Sequence, residues 1–248
     1  MNWVKAKGYL WVAYGVVAIL IILAVSLLYD PVGRLQEAQI AAGLRPVVRL
    51  ATPLDLVIPL FPPAMIVYWY VFYGFLFFSF FYFAFVRREF RNAFVVAFTL
   101  VSVVAYAIYL VFSVIGPERV VAGTDFFSVQ VALLYQHDTP LNCFPSLHGS
   151  TSLLAAYALW RSRRAYGFVS WPLAIAVQVS TLLVRQHWIV DQLGAALVTL
   201  PIAYFAFNWF KYTKAPADVG KTHWWQIVVA VSFAIIFMVL YLYAFYIT

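Results

Sequence analysis

Two histidines stand where an imidazole could do chemistry. His148 closes Asn142-Cys143-Phe144-Pro145-Ser146-Leu147-His148, and His187 sits in Arg185-Gln186-His187-Trp188-Ile189-Val190-Asp191. Both lie at the ends of long apolar runs, where an imidazole without a partner or a task is costly. The i, i+4 spacing of His187 and Asp191 puts them on one face of a helical turn. The carboxylate can then hold one ring nitrogen and leave the other aimed and more nucleophilic. Arg185 precedes that histidine by two residues, and Arg119 follows Gly116-Pro117-Glu118 in an earlier loop. Guanidinium forks match phosphate oxygens bidentately. Pro145 and Ser146 mark a helix start, where the Ser146 hydroxyl and the backbone amides, that of Leu147 included, form an anion site. His148 at that start can give a proton to a leaving oxygen. Together these residues predict metal-free phosphoryl transfer through a phosphohistidine, with arginines, serine and amides on the equatorial oxygens.

The elements that must position them are membrane elements. Of 248 residues, 65% are hydrophobic and 10% charged, outside the range of a soluble domain. Apolar runs of about 18 residues or more recur with short polar breaks. They place spans near 9–29, 64–85, 93–115, 147–160, 167–185, 190–210 and 224–246. The aromatic fraction of 20% would suit a barrel, but these runs do not alternate with period two. The expected fold is all-α, a polytopic membrane bundle of about six to seven transmembrane helices. No Gly/Ser linker or internal repeat divides the chain, so 1–248 reads as one membrane domain. Within it 58–200 is the catalytic core, 1–57 an anchor and interfacial segment, and 211–248 a cytoplasmic loop and last helix. Asp30-Pro31 follows the first run without a small-residue cleavage site, so that run reads as an anchor. The stretch 30–63 holds Leu35, Ile40, Leu44 and Val48 with Arg34, Arg45 and Arg49, which reads as a short interfacial helix interrupted at Pro46, or else as a solvated loop. The aromatic residues from Tyr68 to Phe85 read as lipid-facing and packing surface. Cys143, the one cysteine, excludes an internal disulfide and offers no metal framework.

Charge orients the bundle. With these spans Lys5, Lys7, Arg87, Arg88, Arg91, Arg161, Arg163, Arg164, Lys211, Lys214 and Lys221 fall on one side, opposed there by Glu89 and Asp218 alone. The positive-inside rule makes that side cytoplasmic. The net charge of +7 is thereby a matter of topology and gives no reason to invoke nucleic acid. Two crossings separate the loop ending at His148 from the turn holding His187, so both open on the non-cytoplasmic side and can meet. A fourth span of about 14 residues covers about 21 Å against a hydrocarbon core of about 30 Å, which recesses His148 below the headgroups.

Each residue also has a plainer reading. His137 and His223 suit interfacial packing. Arg185 and Arg119 can snorkel to headgroups. Asp138 and Asn142 cap the turn before the fourth span, or contact substrate. Ser180 and Thr181 bond to their own helix backbone.

At the two histidines the sequence resembles the type-2 phosphatidic acid phosphatase superfamily. Its second signature, Pro-Ser-x-His, is matched by Pro145-Ser146-Leu147-His148. Its third, ending in His-x-x-x-Asp, is matched by His187 to Asp191. The leading Ser-Arg of that signature is Ser180-Thr181 here, and Arg185 stands in for the arginine, as in a subgroup that includes inositol phosphorylceramide synthases. The Pro-Ser-Leu-His form, Asp138 to Phe144 and Ile58-Pro59-Leu60-Phe61-Pro62-Pro63 also resemble that subgroup. The first signature is not present as such, and Arg119 beside Pro117 takes its place. The resemblance covers roughly 58–200. It implies His187 as nucleophile, Asp191 as its orienter and His148 as general acid and base, with no cofactor.

The expected function is a lipid phosphatase acting on a lipid phosphate or pyrophosphate at the outer interface of a plasma (inner) membrane, with the amino terminus cytoplasmic. The expected partners are that substrate and the bilayer, with no nucleic acid and no obligatory protein. Head-group transfer to an alcohol is the alternative within the same chemistry. A b-type haem carrier ligated by His148 and His187, or a non-catalytic lipid-binding or transport bundle, are the alternatives from other classes.

Overall fold

A computed structural model describes residues 3–210 and 224–247. Lys211, Lys214, Asp218, Lys221 and His223 lie outside the described residues. The described residues are mostly helical and hold no strand. The helices are α1 (Trp3–Ser26), α2 (Tyr29–Ala41), α3 (Phe72–Phe81), α4 (Arg91–Val111), α5 (Phe126–His137), α6 (Leu147–Ser162), α7 (Gly167–Leu183), α8 (Ile189–Trp209) and α9 (Trp224–Ile247). π-helical turns, Ile66–Val71 and Tyr82–Val86, extend α3 at both ends into one apolar helix over Pro62–Val86. The expected spans reappear with shifted ends. Among the described residues five helical stretches are long and apolar enough to cross a membrane, and Trp224–Leu240 is a shorter apolar helix. The protein is an integral membrane helical bundle.

The packing centres on α6, a helix of 16 residues, about 24 Å long. Every residue from Gly149 to Leu159 is buried, against α7, α8, α3 and α4. Alanines make this closeness possible: Ala155, Ala156, Ala158, Ala174 and Ala203 let backbones approach where larger side chains would hold them apart. The aromatic run of the Pro62–Val86 helix serves mostly as packing surface, the second half of its reading as lipid-facing and packing surface. Tyr68, Trp69, Tyr82 and Phe83 are buried, and Phe83 stacks on Phe94 of α4 at 4.7 Å between ring centroids.

The interfacial segment is a helix, but displaced from the expected one. α2 begins at Tyr29 and stops at Ala41, before Pro46. Gly43 adopts φ +70°, and the N–H groups of Gly43 and Leu44 turn back to the carbonyls of Ile40 and Gln39. A left-handed residue at this position ends a helix by satisfying its last carbonyls, and glycine does so at least steric cost. Beyond it the chain runs extended. Val48 pairs with Val114, and Val114 with Asn142, lacing three loop segments together and stopping α4 at Val111, short of the expected 115. α5 lies in the loop between the expected third and fourth spans, its start capped by Asp125 accepting from the Phe127 and Ser128 N–H groups.

The two ends of the bundle differ in charge. At one, Arg91 donates to the Trp11 carbonyl, Arg88 lies over the Trp11 ring and Arg161 reaches Asn208. The loops carrying both histidine motifs occupy the other.

Candidate active site

His187 follows α7 at a sharp backbone reversal. Gln186 and Arg185 return N–H bonds to the carbonyls of Thr181 and Leu182, closing α7 as Gly43 closes α2. Here the left-handed position, φ 51°, is filled by Arg185. A side chain at that φ costs about 1–2 kcal/mol relative to ordinary backbone, so the reversal carries local strain at the residue the sequence marks for anion binding.

Two residues later α8 begins, and Asp191 in its first turn gathers the site. Its Oδ2 accepts from the Trp188 N–H at 2.7 Å and the Cys143 thiol at 3.0 Å, and lies 3.3 Å from His187 Nδ1. Burial, and next the Asp191 charge, push the Cys143 thiol well up, so it remains protonated and donates. With Nδ1–H given to Asp191, the lone pair of His187 is on Nε2. The Trp188 indole N–H donates to the Ile115 carbonyl at 2.8 Å, and Asp55 accepts from the Ile189 N–H at 2.8 Å. The His187 turn is thus held from both flanking loops.

His148, in the first turn of α6, reaches the same place. Its ring centroid lies 5.7 Å from that of His187, edge to face, and 4.8 and 4.9 Å from Tyr68 and Phe72. A cavity of about 170 Å³ opens over His187, with Arg185, Arg49, Asp55 and Glu118 in its walls. Arg49 lies 5.7 Å above the Trp188 ring and 3.6 Å from Glu118.

The other predicted residues have different occupations. Ser146 is buried and caps α6, its Oγ accepting from the Gly149 N–H, while its own N–H donates to the Asp191 carbonyl. Leu147 packs against the cluster of Ala105, Tyr106 and Tyr109. Neither lines the cavity. Arg119 donates to the carbonyls of Asp138 and Thr139 and to Gln186 Oε1 at 2.8 Å, with the Asp138 carboxylate 3.6 Å away. It braces the loop beside His187 and is absent from the larger cavity's walls. The side chains of Asp138 and Asn142 bond outside the turn before α6 that they were expected to cap. Asp138 accepts from the Tyr29 hydroxyl at 3.0 Å, and Asn142 joins Gln36 at 2.6 Å and the Tyr29 carbonyl at 3.0 Å, fastening the loop to α2. Burial pushes the Asp138 carboxyl up, with Arg119 pulling the other way. Ser180 and Thr181 donate to the Val177 and Gln178 carbonyls of their own helix.

The geometry adds residues the sequence did not single out. Cys143 stands with His187 and Asp191, ligand-type atoms of all three lying within 4.8 Å of one another. Asp55, Arg49, Gln186 and Trp188 frame the site. Asp55 alone had a local signal, the Thr-x-x-Asp spacing of a capping box, realised as Thr52 N–H and Oγ1 donating to Asp55 Oδ2.

A family model described as the PAP2 superfamily matches residues 34–206. The chain belongs to that superfamily. The match begins within α2 and ends in α8, so it takes in part of the interfacial helix along with both histidine motifs and leaves out α1 and α9. No curated protein and no solved structure matches the chain. Membership places this PAP2 protein among phosphatases and phosphotransferases of phosphate esters.

Proposed function

We propose that this protein hydrolyses a lipid phosphate or pyrophosphate through a phosphohistidine on His187, without a metal ion, at the non-cytoplasmic face of a plasma (inner) membrane. The observation that carries this reading is the Asp191–His187 pair with the His148 ring beside it, 5.7 Å between the histidine centroids, and with His187 and Arg185 in the wall of one cavity. Asp191 fixes the proton on Nδ1, and Nε2 attacks phosphorus. As the P–O bond to the leaving group breaks, protonated His148 gives that oxygen its proton. His148 then takes a proton from water, whose oxygen attacks the phosphohistidine, releasing phosphate and restoring Nε2. Arg185 offers its fork to the equatorial oxygens, and Arg49 across the cavity is placed to join it.

The separation of the charged ends supports the orientation. The Arg88, Arg91 and Arg161 end is the basic one and the histidines are at the other. The short α6, with His148 in its first turn, supports a site recessed toward the headgroups and a substrate whose phosphate hangs from a lipid.

Transfer to an alcohol is the second reading, favoured by the Pro-Ser-Leu-His form shared with the subgroup that includes inositol phosphorylceramide synthases. The two histidine rings meet edge to face with 5.7 Å between centroids, which leaves no room for a haem plane between them. The test is phosphate release by purified protein from a panel of lipid phosphates in chelator, with and without inositol, beside His187→Ala. Metal-independent release lost in the variant supports the phosphohistidine enzyme, and a phosphorylated alcohol formed at the expense of free phosphate supports the transferase. No turnover, or turnover indifferent to the substitution, would favour a binding or transport bundle.

A further inference from the structure

The thiol of Cys143 has no part in the reaction proposed above, yet it points at the carboxylate that orients the nucleophile. We propose that Cys143, His187 and Asp191 form an inhibitory site for a thiophilic divalent cation, Zn²⁺ by its ligand chemistry, and that occupation disables His187 by exchanging its tautomer. The proposal rests on the reading of His187 Nε2 as nucleophile for its consequence, though not for the site itself.

Geometry is the first support. The distances are 3.6 Å from Sγ to Nδ1, 3.3 Å from Nδ1 to Oδ2 and 3.0 Å from Sγ to Oδ2. A tetrahedral Zn²⁺ with its usual bond lengths to sulfur, nitrogen and oxygen needs edges of about 3.4–3.6 Å. Two edges are already there, and a small rotation of the thiol opens the third. Asp191 Oδ1, buried and without a hydrogen-bond partner among the described residues, offers a further oxygen. The set of one thiolate, one imidazole and one carboxylate is a borderline-soft donor set that suits Zn²⁺ over Mg²⁺ or Ca²⁺.

Access is the second. A narrow polar crevice lined by Cys143, His187, Asp138, Asn142 and Gln186 lies on the side of His187 away from Arg185 and Arg49 and is too tight for a water molecule. A phosphate group cannot follow there, and a cation enters as these loop side chains give way. The Gln186 carbonyl, 3.5 Å from Sγ, or a water completes the shell.

The consequence follows from proton bookkeeping. In the resting pair the single imidazole proton is on Nδ1 and the lone pair on Nε2. A cation on Nδ1 takes the lone pair there, and the proton passes through solvent to Nε2. The Cys143 thiol gives its proton to solvent as the metal–sulfur bond forms, and nothing is oxidised or reduced. His187 then presents an N–H to the phosphate where attack needs a lone pair.

Cys143 is the one cysteine of the chain, so a sulfur-to-metal signal in the purified wild type is its own assignment. Co²⁺ added to chelator-stripped protein should raise a near-ultraviolet thiolate-to-cobalt band. Zn²⁺ should abolish that band, and Cys143→Ser and Cys143→Ala should lack it. Zn²⁺ should lower phosphate release at least tenfold, reversibly with chelator. Half-inhibition in either folded variant, each against its own metal-free rate, should need at least about tenfold more Zn²⁺. No cobalt band in folded wild type overturns the site, whatever the turnover. A band with undiminished turnover overturns the tautomer exchange. A band in protein that never turns over leaves the cation site standing and removes the hydrolase reading instead.

Discussion

Asp191→Asn separates the two services of the carboxylate, charge and orientation. The Trp188 N–H at 2.7 Å and the Cys143 thiol at 3.0 Å both need an acceptor at the Oδ2 position. The amide oxygen of asparagine therefore settles there, and its NH₂ falls at Oδ1, which has no partner in the wild type. His187 keeps an acceptor for Nδ1–H and with it the productive tautomer, so the loss is that of charge alone. At 3.3 Å a full unit charge on the ring would interact with the carboxylate by about 5 kcal/mol at an effective dielectric constant of about 20. With roughly half of that charge developed in the transition state the loss is about 2.5 kcal/mol, or about 70-fold in kcat/KM. Asp191→Ala removes the acceptor as well, orphaning the Trp188 N–H and freeing the ring, for about 1–3 kcal/mol more and a loss of about 400-fold to 10⁴-fold in all. Phosphate release from a lipid phosphate in detergent micelles measures both, with thermal unfolding as the control for fold. Equal inactivity of the asparagine and alanine variants, or wild-type turnover in the asparagine variant, would refute the reasoning.

Three further outcomes are expected. In Gly194→Ala the new Cβ would lie 2.4–3.1 Å from three Phe144 ring atoms; the overpacking, about 1–3 kcal/mol, should outweigh the helix preference for alanine, about 1 kcal/mol. Both Tm and turnover should fall, because Phe144 lies between Cys143 and Ser146. Asn142→Leu leaves the buried Gln36 Nε2 unpaired, about 1–3 kcal/mol, and removes the amide bond to the Tyr29 carbonyl, and should appear as a lower Tm with α2 exchanging its amides faster. The Asp125 carboxyl is held below its ordinary value, first by the Ser128 hydroxyl, so its cap is present above the usual carboxylate range and lost as pH falls through the lowered value. Hydrogen exchange at 127–128, corrected for intrinsic rates, should show that loss in the wild type and no such step in Asp125→Asn.

The sequence disclosed what rests on local pattern. Apolar runs read as spans became helices, and the i, i+4 spacing of His187 and Asp191 became a contact. The errors have local causes too. Pro46 looked a stronger stop than Gly43, but the chain had already reversed at the glycine, since a left-handed residue ends a helix before a proline is needed. α5 is short and of mixed polarity, and Asp125 at its cap was its main signal. Arg119 matched phosphate by residue type, and only the fold reveals that both of its terminal nitrogens are already committed to carbonyls and to Gln186. Cys143 was dismissed because a lone cysteine shows no ligand spacing. Its neighbours come from the other side of α6 and α7, where no sequence window could reach.

The burial of α6 also bears on how the chain is made. From Gly149 to Leu159 α6 faces protein alone, and at 16 residues, about 24 Å, it is too short to cross a hydrocarbon core of about 30 Å unaided. When α6 is first synthesised, α3 and α4 are already in place, whereas α7 and α8, the rest of its sheath, have yet to be translated. α6 therefore gains little by settling into lipid by itself, and its entry is coupled to theirs. Since α8 starts two residues beyond His187, the insertion event that shelters His148 is the one that delivers its partner.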